Sequence, residues 1–304
     1  MQALGNNGDC MKKLYEISTD FPYESKFEVV NGHKMHYIDH GSHKKDPMIF
    51  LHGLPAHSYI WRNIIPYLSK NARCIALDLI GMGKSDKPDI DYSFTEHTDY
   101  LDKFIAQLGL KNVTLVMHGF GGTVGLLYAM KNDVNVKALS LYEVYTHAFS
   151  DKKTSLPAKQ LLDFMAENPK ESYKAVVNNN FLLKKILAHG LVRQITPVEF
   201  ANYEAPLKDK KDREILWKNL TQLHDSANDL ITKQCKYLQI NNKPKLMLYS
   251  LPGFVTSMEA VEWCQCNIPN LSVVEIGEGY NFGQETDPKG FATVLKKWYQ
   301  DIDD

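Results

Sequence analysis

The sequence predicts an α/β fold: an eight-stranded, mainly parallel sheet flanked by helices, with a helical cap inserted after the sixth strand. Three observations point there. Short, continuous apolar runs alternate with helical patterns, as in parallel strands buried on both faces. A hairpin with Asn31-Gly32 at its tip opens the series. The alternation then stops between about Val144 and Cys235, a polar helical stretch, and resumes at Pro244.

Taken in order, Lys26–Val30 and Lys34–Asp39 form the hairpin. The later strands are Met48–Leu51, Cys74–Leu77, Val113–Met117, Ala138–Leu141, Leu246–Tyr249 and Val273–Ile276. The helical patterns between and after them cover Trp61–Leu68, Thr95–Leu108, Gly122–Met130, Ser257–Cys266 and Pro288–Tyr299. This divides the chain into a first core segment, 1–143, a cap, 144–235, and a second core segment, 236–304. An insertion of this kind covers the ligand crevice at the carboxyl ends of the strands. The charge run Lys208–Glu214 reads as a solvated loop.

The composition is that of a globular protein, 44% hydrophobic and 23% charged over 304 residues, and the net charge of −1 gives no reason to expect nucleic acid as a partner. Met1–Lys13 lacks the apolar core of a signal peptide, and no apolar run is long enough to span a bilayer. Five unevenly spaced cysteines suit a reducing, cytoplasmic setting. Cys264-x-Cys266 has no further ligands nearby, so no metal and no cofactor is expected.

Val113–Met117 runs into His118-Gly119-Phe120-Gly121-Gly122 and then a helix, the shape of a nucleophile elbow. The apex, where Ser, Cys or Asp is expected, is Gly119. A plain glycine-rich strand-to-helix turn has the same local signature.

From Phe21 to Trp298 the chain resembles the haloalkane dehalogenases and the Renilla-type luciferases grouped with them, a family of the α/β-hydrolase fold. The matching stretches include WRNIIP, DLIGMGKSDKP, LVRQITPVEFANYEAPL and the FGQETDP segment. The resemblance implies a catalytic Asp in a His-Asp-Trp-Gly pattern, where this chain has Gly119, and a halide-binding Trp where it has Phe120. The second halide contact, an Asn, falls on Leu54, and the catalytic His falls on Asn281. Only the acid position is kept, as Glu143.

Glycine cannot form a covalent alkyl-enzyme, and an Asn amide cannot act as base near neutral pH. Leu54 and Phe120 offer a leaving halide no side-chain donor. Loss of one triad member can cost on the order of 10⁶ in rate, so dehalogenation is not expected, nor a luciferase reaction that uses the same Asp and His. His118, His52 and Thr123 read as structural, and Tyr145, His147 and Tyr280 as near the cleft. A hydrogen bond from the Asn281 amide to Glu143 is one expectation; a relic carboxylate, solvated or tied to backbone, is the other.

Three functions compete: a capped pocket for a small apolar molecule, used for binding or for non-hydrolytic chemistry at Glu143; a weak or altered hydrolase using the backbone N–H groups of Leu54 and Phe120; and a protein-interaction scaffold. Oligomeric state is not legible in the sequence.

Overall fold

The computed structural model describes residues 17–148, 151–223 and 227–302. Cys10 and the Met1–Lys13 stretch lie outside the described residues.

Eight strands form one sheet: β1 Lys26–Val30, β2 His33–Gly41, β3 Pro47–Leu51, β4 Arg73–Leu77, β5 Val113–His118, β6 Val136–Tyr142, β7 Lys245–Pro252 and β8 Leu271–Gly279. Their order is β1-β2-β4-β3-β5-β6-β7-β8. β2 is antiparallel to both of its neighbours, and every other pairing is parallel. At the hairpin tip Asn31 and Gly32 take φ of 52° and 82°, the left-handed pair that a two-residue loop requires.

Eight helices of eight or more residues follow among the described residues: α1 Phe94–Gln107, α2 Phe120–Lys131, α3 Leu156–Glu167, α4 Pro197–Glu204, α5 Lys210–Thr221, α6 Asn228–Ile240, α7 Met258–Asn267 and α8 Pro288–Asp301. None is long and apolar enough to cross a membrane. The side-chain alternation of the strands divides the core in two. Ile49, Leu51, Ile75 and Leu77 pack with Leu101 and Phe104 of α1 and Val124 of α2. Met48, Phe50, Cys74 and Ala76 pack on the other face with Phe291, Leu295 and Trp298 of α8. Each fully buried Leu, Ile, Val, Met or Phe among them contributes about 1.5–3 kcal/mol.

Two expectations are corrected. Trp61–Leu68 is not one helix but a 3₁₀ turn, Ser58–Trp61, followed by a short α-turn, Ile65–Leu68; Pro66 lacks the N–H that would continue a ladder. Lys208–Glu214 is no solvated loop, because α5 begins within it. Arg213 is buried, and its guanidinium donates to the carbonyls of Val177 (2.7 Å), Leu207 (2.5 Å) and Lys208 (2.7 Å). Ile215, Leu216 and Leu220 bury the same helix. The boundary expected at 235 falls inside α6, which runs to Ile240 and packs on α2.

Two of the quoted sequence blocks have structural duties. In DLIGMGKSDKP, the buried Asp78 carboxylate accepts from Ser58 N (2.7 Å), Lys84 N (2.8 Å) and His36 Nδ1 (2.7 Å), closing the turn after β4. Burial would raise its pKa, but the His36 hydrogen bond and the surrounding histidines hold it well below the carboxylate range. WRNIIP supplies Arg62, LVRQITPVEFANYEAPL supplies Arg193, Glu199 and Tyr203, and FGQETDP supplies Glu285. Arg62 binds Glu199 at 2.8 Å and Glu285 through both carboxylate oxygens. Arg193 binds Glu199 at 2.6 and 2.8 Å and Glu285 at 2.9 Å, and the Tyr203 hydroxyl also donates to Glu285. Two arginines and two glutamates thus balance charge in a largely buried cluster that ties cap to core.

Candidate functional site

The strand-to-helix turn between β5 and α2 is an elbow. Its apex, Gly119, has φ 51° and ψ −123°, a conformation strained for any residue with a side chain. The Gly119 N–H donates to the Tyr142 carbonyl on the neighbouring strand at 3.2 Å. A Cβ built on Gly119 would meet only Gly53 Cα, at 3.5 Å, so the apex has room for a side chain and carries none. Gly121 differs: a Cβ there would lie 2.5 Å from the His52 carbonyl oxygen, so the strand-to-helix packing requires glycine.

Above the elbow lies a cavity of about 40 Å³, taken as the space open to the centre of a water molecule. One water needs roughly 10–15 Å³ on that measure, so about three fit. Its floor is Gly53, Leu54, His118, Gly119, Phe120 and Asn281. The walls come from the cap (Tyr145, Leu161, Leu182, Ile186, Leu220, Leu223) and from Phe254 and Val255 after β7. Leu54, Phe120, Asn281 and Tyr145 therefore meet as expected. Tyr280 does not: it is 39% exposed and absent from the lining, a correction to its expected place near the cleft. It sits in the loop directly after β8, where its carbonyl accepts from the Tyr142 hydroxyl at 3.2 Å while its ring faces outward. The cap leucines and Ile186 could not be singled out beforehand, because their apolar spacing is the same whether they face a core or a pocket.

The backbone N–H groups of Leu54 and Phe120, flanking the elbow, have no acceptor among the described residues. Phe120 stacks its ring on Phe94 (centroids 4.9 Å apart) and meets His97 edge-on at 5.2 Å.

Neither buried histidine beside the elbow offers a free base. His118 Nδ1 accepts from Gly53 N at 3.2 Å, which leaves Nε2–H to donate to the Asn281 carbonyl at 2.8 Å. Burial pushes its pKa down to about 4, against the opposing effect of the Asn281 carbonyl and side chain. His52 accepts from Leu79 N through Nε2 (3.1 Å) and donates through Nδ1 to the Gly53 carbonyl (3.1 Å); burial lowers it likewise to about 4. The Thr123 hydroxyl is buried without a partner and does not line the cavity. His147 is packed edge-on against Trp263.

Glu143 lies beneath the wall rather than in it. One carboxylate oxygen, Oε2, accepts from three successive amides: Phe254 (3.0 Å), Val255 and Thr256 (3.3 Å). Oε1 has no partner, so the expected hydrogen bond from Asn281 is not formed; the competing expectation, a carboxylate tied to backbone, describes the site. The turn after β7 carries those amides at the very place where the carboxylate is buried, and three donors outcompete one side-chain amide. Burial outweighs these bonds and raises the Glu143 pKa to about 7.

Between pH 4.5 and about 7 the native carboxyl keeps a proton that the unfolded chain has released, so this group's contribution falls as pH rises through that window and is lowest above it. The shift corresponds to about 3 kcal/mol. Urea unfolding at pH 5.5 and 8 should show a loss of about 2 kcal/mol in the native protein, because pH 5.5 already lies inside the window, and the Glu143→Gln variant should show little of it.

Among the described residues no group of three or more His, Cys, Asp or Glu side chains could hold a metal, and Cys74, Cys235, Cys264 and Cys266 are unpaired.

With this geometry, the comparisons are specific. The alpha/beta hydrolase fold family matches residues 46–288. A haloalkane dehalogenase from Agrobacterium fabrum is 30% identical over 272 residues, 88% of each chain. The chain belongs to the haloalkane dehalogenase-like α/β hydrolases. Within this family, the coelenterazine h 2-monooxygenase of Renilla reniformis is 28% identical over 278 residues, 88% of each chain. The crystal structure of the haloalkane dehalogenase DatA from Agrobacterium tumefaciens superposes with a TM-score of 0.85 at 29% identity, covering 92% of this chain and 97% of the other.

Proposed function

We propose that this family member has left covalent hydrolysis behind and keeps its capped pocket as a binding site for a small, largely apolar molecule. The observation that carries the reading is the elbow: the strained apex backbone persists with space for a side chain, yet position 119 is glycine. No oxygen or sulfur nucleophile stands at the apex, and His118 and His52 have both ring nitrogens engaged. Asn281 supplies an amide where the family resemblance implies a base. A non-hydrolytic reaction using Glu143 as acid or base is a weaker form of the reading, because that carboxylate is absent from the cavity lining.

A second reading, a weak hydrolase, rests on one observation: the unpartnered amides of Leu54 and Phe120 resemble an oxyanion hole, and such donors sustain residual catalysis without a triad. A scaffold role, with the small cavity a remnant, is the third. We place the protein in the cytoplasm, with no nucleic-acid or membrane partner; its near-neutral charge and unpaired cysteines support that reading.

The test is turnover by the native protein. Neither halide release from 1-bromobutane nor hydrolysis of a short aryl ester should exceed the background of a mock preparation. Turnover that co-purifies with the protein and is lost when the pocket is blocked would instead establish the hydrolase reading.

A further inference from the structure

The two edges of the sheet are finished differently. At one end β8 shifts register against β7 between Tyr249 and Leu251 and turns Ser272, Glu275 and Glu278 to solvent, an irregular, charged edge that resists further pairing. At the other end β1 pairs with β2 alone, and without a shift. The two-residue loop makes Val30 and His33 the hydrogen-bonded pair that closes the hairpin, so by alternation Phe27 and Val29 turn their N–H and C=O groups away from β2. The Val29 carbonyl accepts from the Gln107 side chain at 3.2 Å, whereas no group among the described residues reaches the outward N–H or C=O of Phe27. Both side chains are open to solvent, Phe27 at 48% and Val29 at 52%. Lys26 and Glu28 alternate with them on the opposite face of the strand. Lys26 keeps 34% of its side chain exposed while lying 3.8 Å from Asp39, and Glu28, also partly exposed, makes no ion pair among the described residues.

We propose that β1 is a self-association surface on which a second copy of this chain adds its own β1, antiparallel and centred on Phe27. In this register Phe27 lies opposite the partner's Phe27, and their outward N–H and C=O groups form the central hydrogen-bonded pair. Lys26 lies opposite the partner's Glu28, and Glu28 opposite the partner's Lys26, so the two-fold axis is flanked by two opposite-charge pairs. A register centred on Glu28 would instead set two carboxylates against each other. The contact joins two eight-stranded sheets into one. Five residues from each copy bury well under the roughly 1,200 Å² of a standard interface, so the dimer is weak and dissociates on dilution.

Sedimentation velocity on the full chain, from about 5 to about 500 µM, should show a monomer passing into a dimer. Lys26→Glu and Glu28→Lys, each alone, set like charges opposite one another and should weaken the dimer at least about fivefold. An equimolar mixture of the two variants restores both opposite-charge pairs and should associate as the native protein does. Cross-linking reads the register separately. With oxidised glutathione, Phe27→Cys should form a disulfide-linked dimer, because paired positions hold their Cα atoms about 5.5 Å apart. Val29→Cys, four residues away from its own copy in this register, should not exceed the background of the native cysteines. A native chain that stays monomeric throughout overturns the proposal. So does a dimer that neither charge reversal weakens, or one that the mixture fails to restore. Equal cross-linking at positions 27 and 29 overturns the pairing centred on Phe27.

Discussion

Replacing Glu285 with alanine should lower the stability of the protein by about 3–5 kcal/mol. The carboxylate accepts from Arg62, Arg193 and Tyr203 and is only 1% exposed. Its removal leaves the buried Arg62 and the half-buried Arg193 facing Glu199 alone, and an uncompensated buried charge costs far more than the intact pair contributes. Glu285→Gln should be milder, since the amide oxygen still accepts from Tyr203. The exposed pair Lys103–Asp99, 2.8 Å apart on α1, is the control: Asp99→Ala should cost at most about 1 kcal/mol. Urea unfolding of the three variants measures the difference. A loss under 1 kcal/mol for Glu285→Ala would mean that the cluster is not the clamp between cap and core that its geometry describes.

The second large effect is a gain. Gly119→Asp with Asn281→His should convert a protein silent toward 1-bromobutane into one with measurable halide release. The apex backbone already has the elbow conformation, and its Cβ position is open. Asp at a positive φ costs on the order of 1–3 kcal/mol, which the fold can carry only if its reserve is larger, so both stability and turnover should be recorded. Leu54 and Phe120 give the departing halide no side-chain donor, and the rate should remain orders of magnitude below that of an intact dehalogenase.

Much of this was legible in the residues alone, for identifiable reasons. Strands buried on both faces must be continuously apolar, so β3 to β6 stood out from their composition. Asn31-Gly32 declared its turn because few other pairs accept two left-handed residues. Gly119 was visible because the strand and helix on either side of it are unmistakable. Side-chain chemistry that depends on distant partners was not visible. Whether Glu143 met Asn281 or the amides of residues 254–256 depends on a loop more than 100 residues away in sequence. The charge run at Lys208–Glu214 misled because Arg213 looks solvated until three carbonyls are found around its guanidinium. One available signal was the Thr196-Pro197-Val198-Glu199 capping box, which marks the start of α4 and fixes the Glu199 carboxylate used by the ion cluster.

The central claim, that the elbow is intact and lacks only its reacting groups, is tested most directly by intact-protein mass spectrometry after incubation with 1-bromobutane. The native protein should remain unmodified. Gly119→Asp alone should gain the mass of one butyl group and keep it, because Asn281 cannot activate the water that would release the ester. A butyl adduct that peptide mapping places on a cavity residue of the native protein, away from the exposed Cys266 thiol, would contradict the account and point to a nucleophile elsewhere in the cavity.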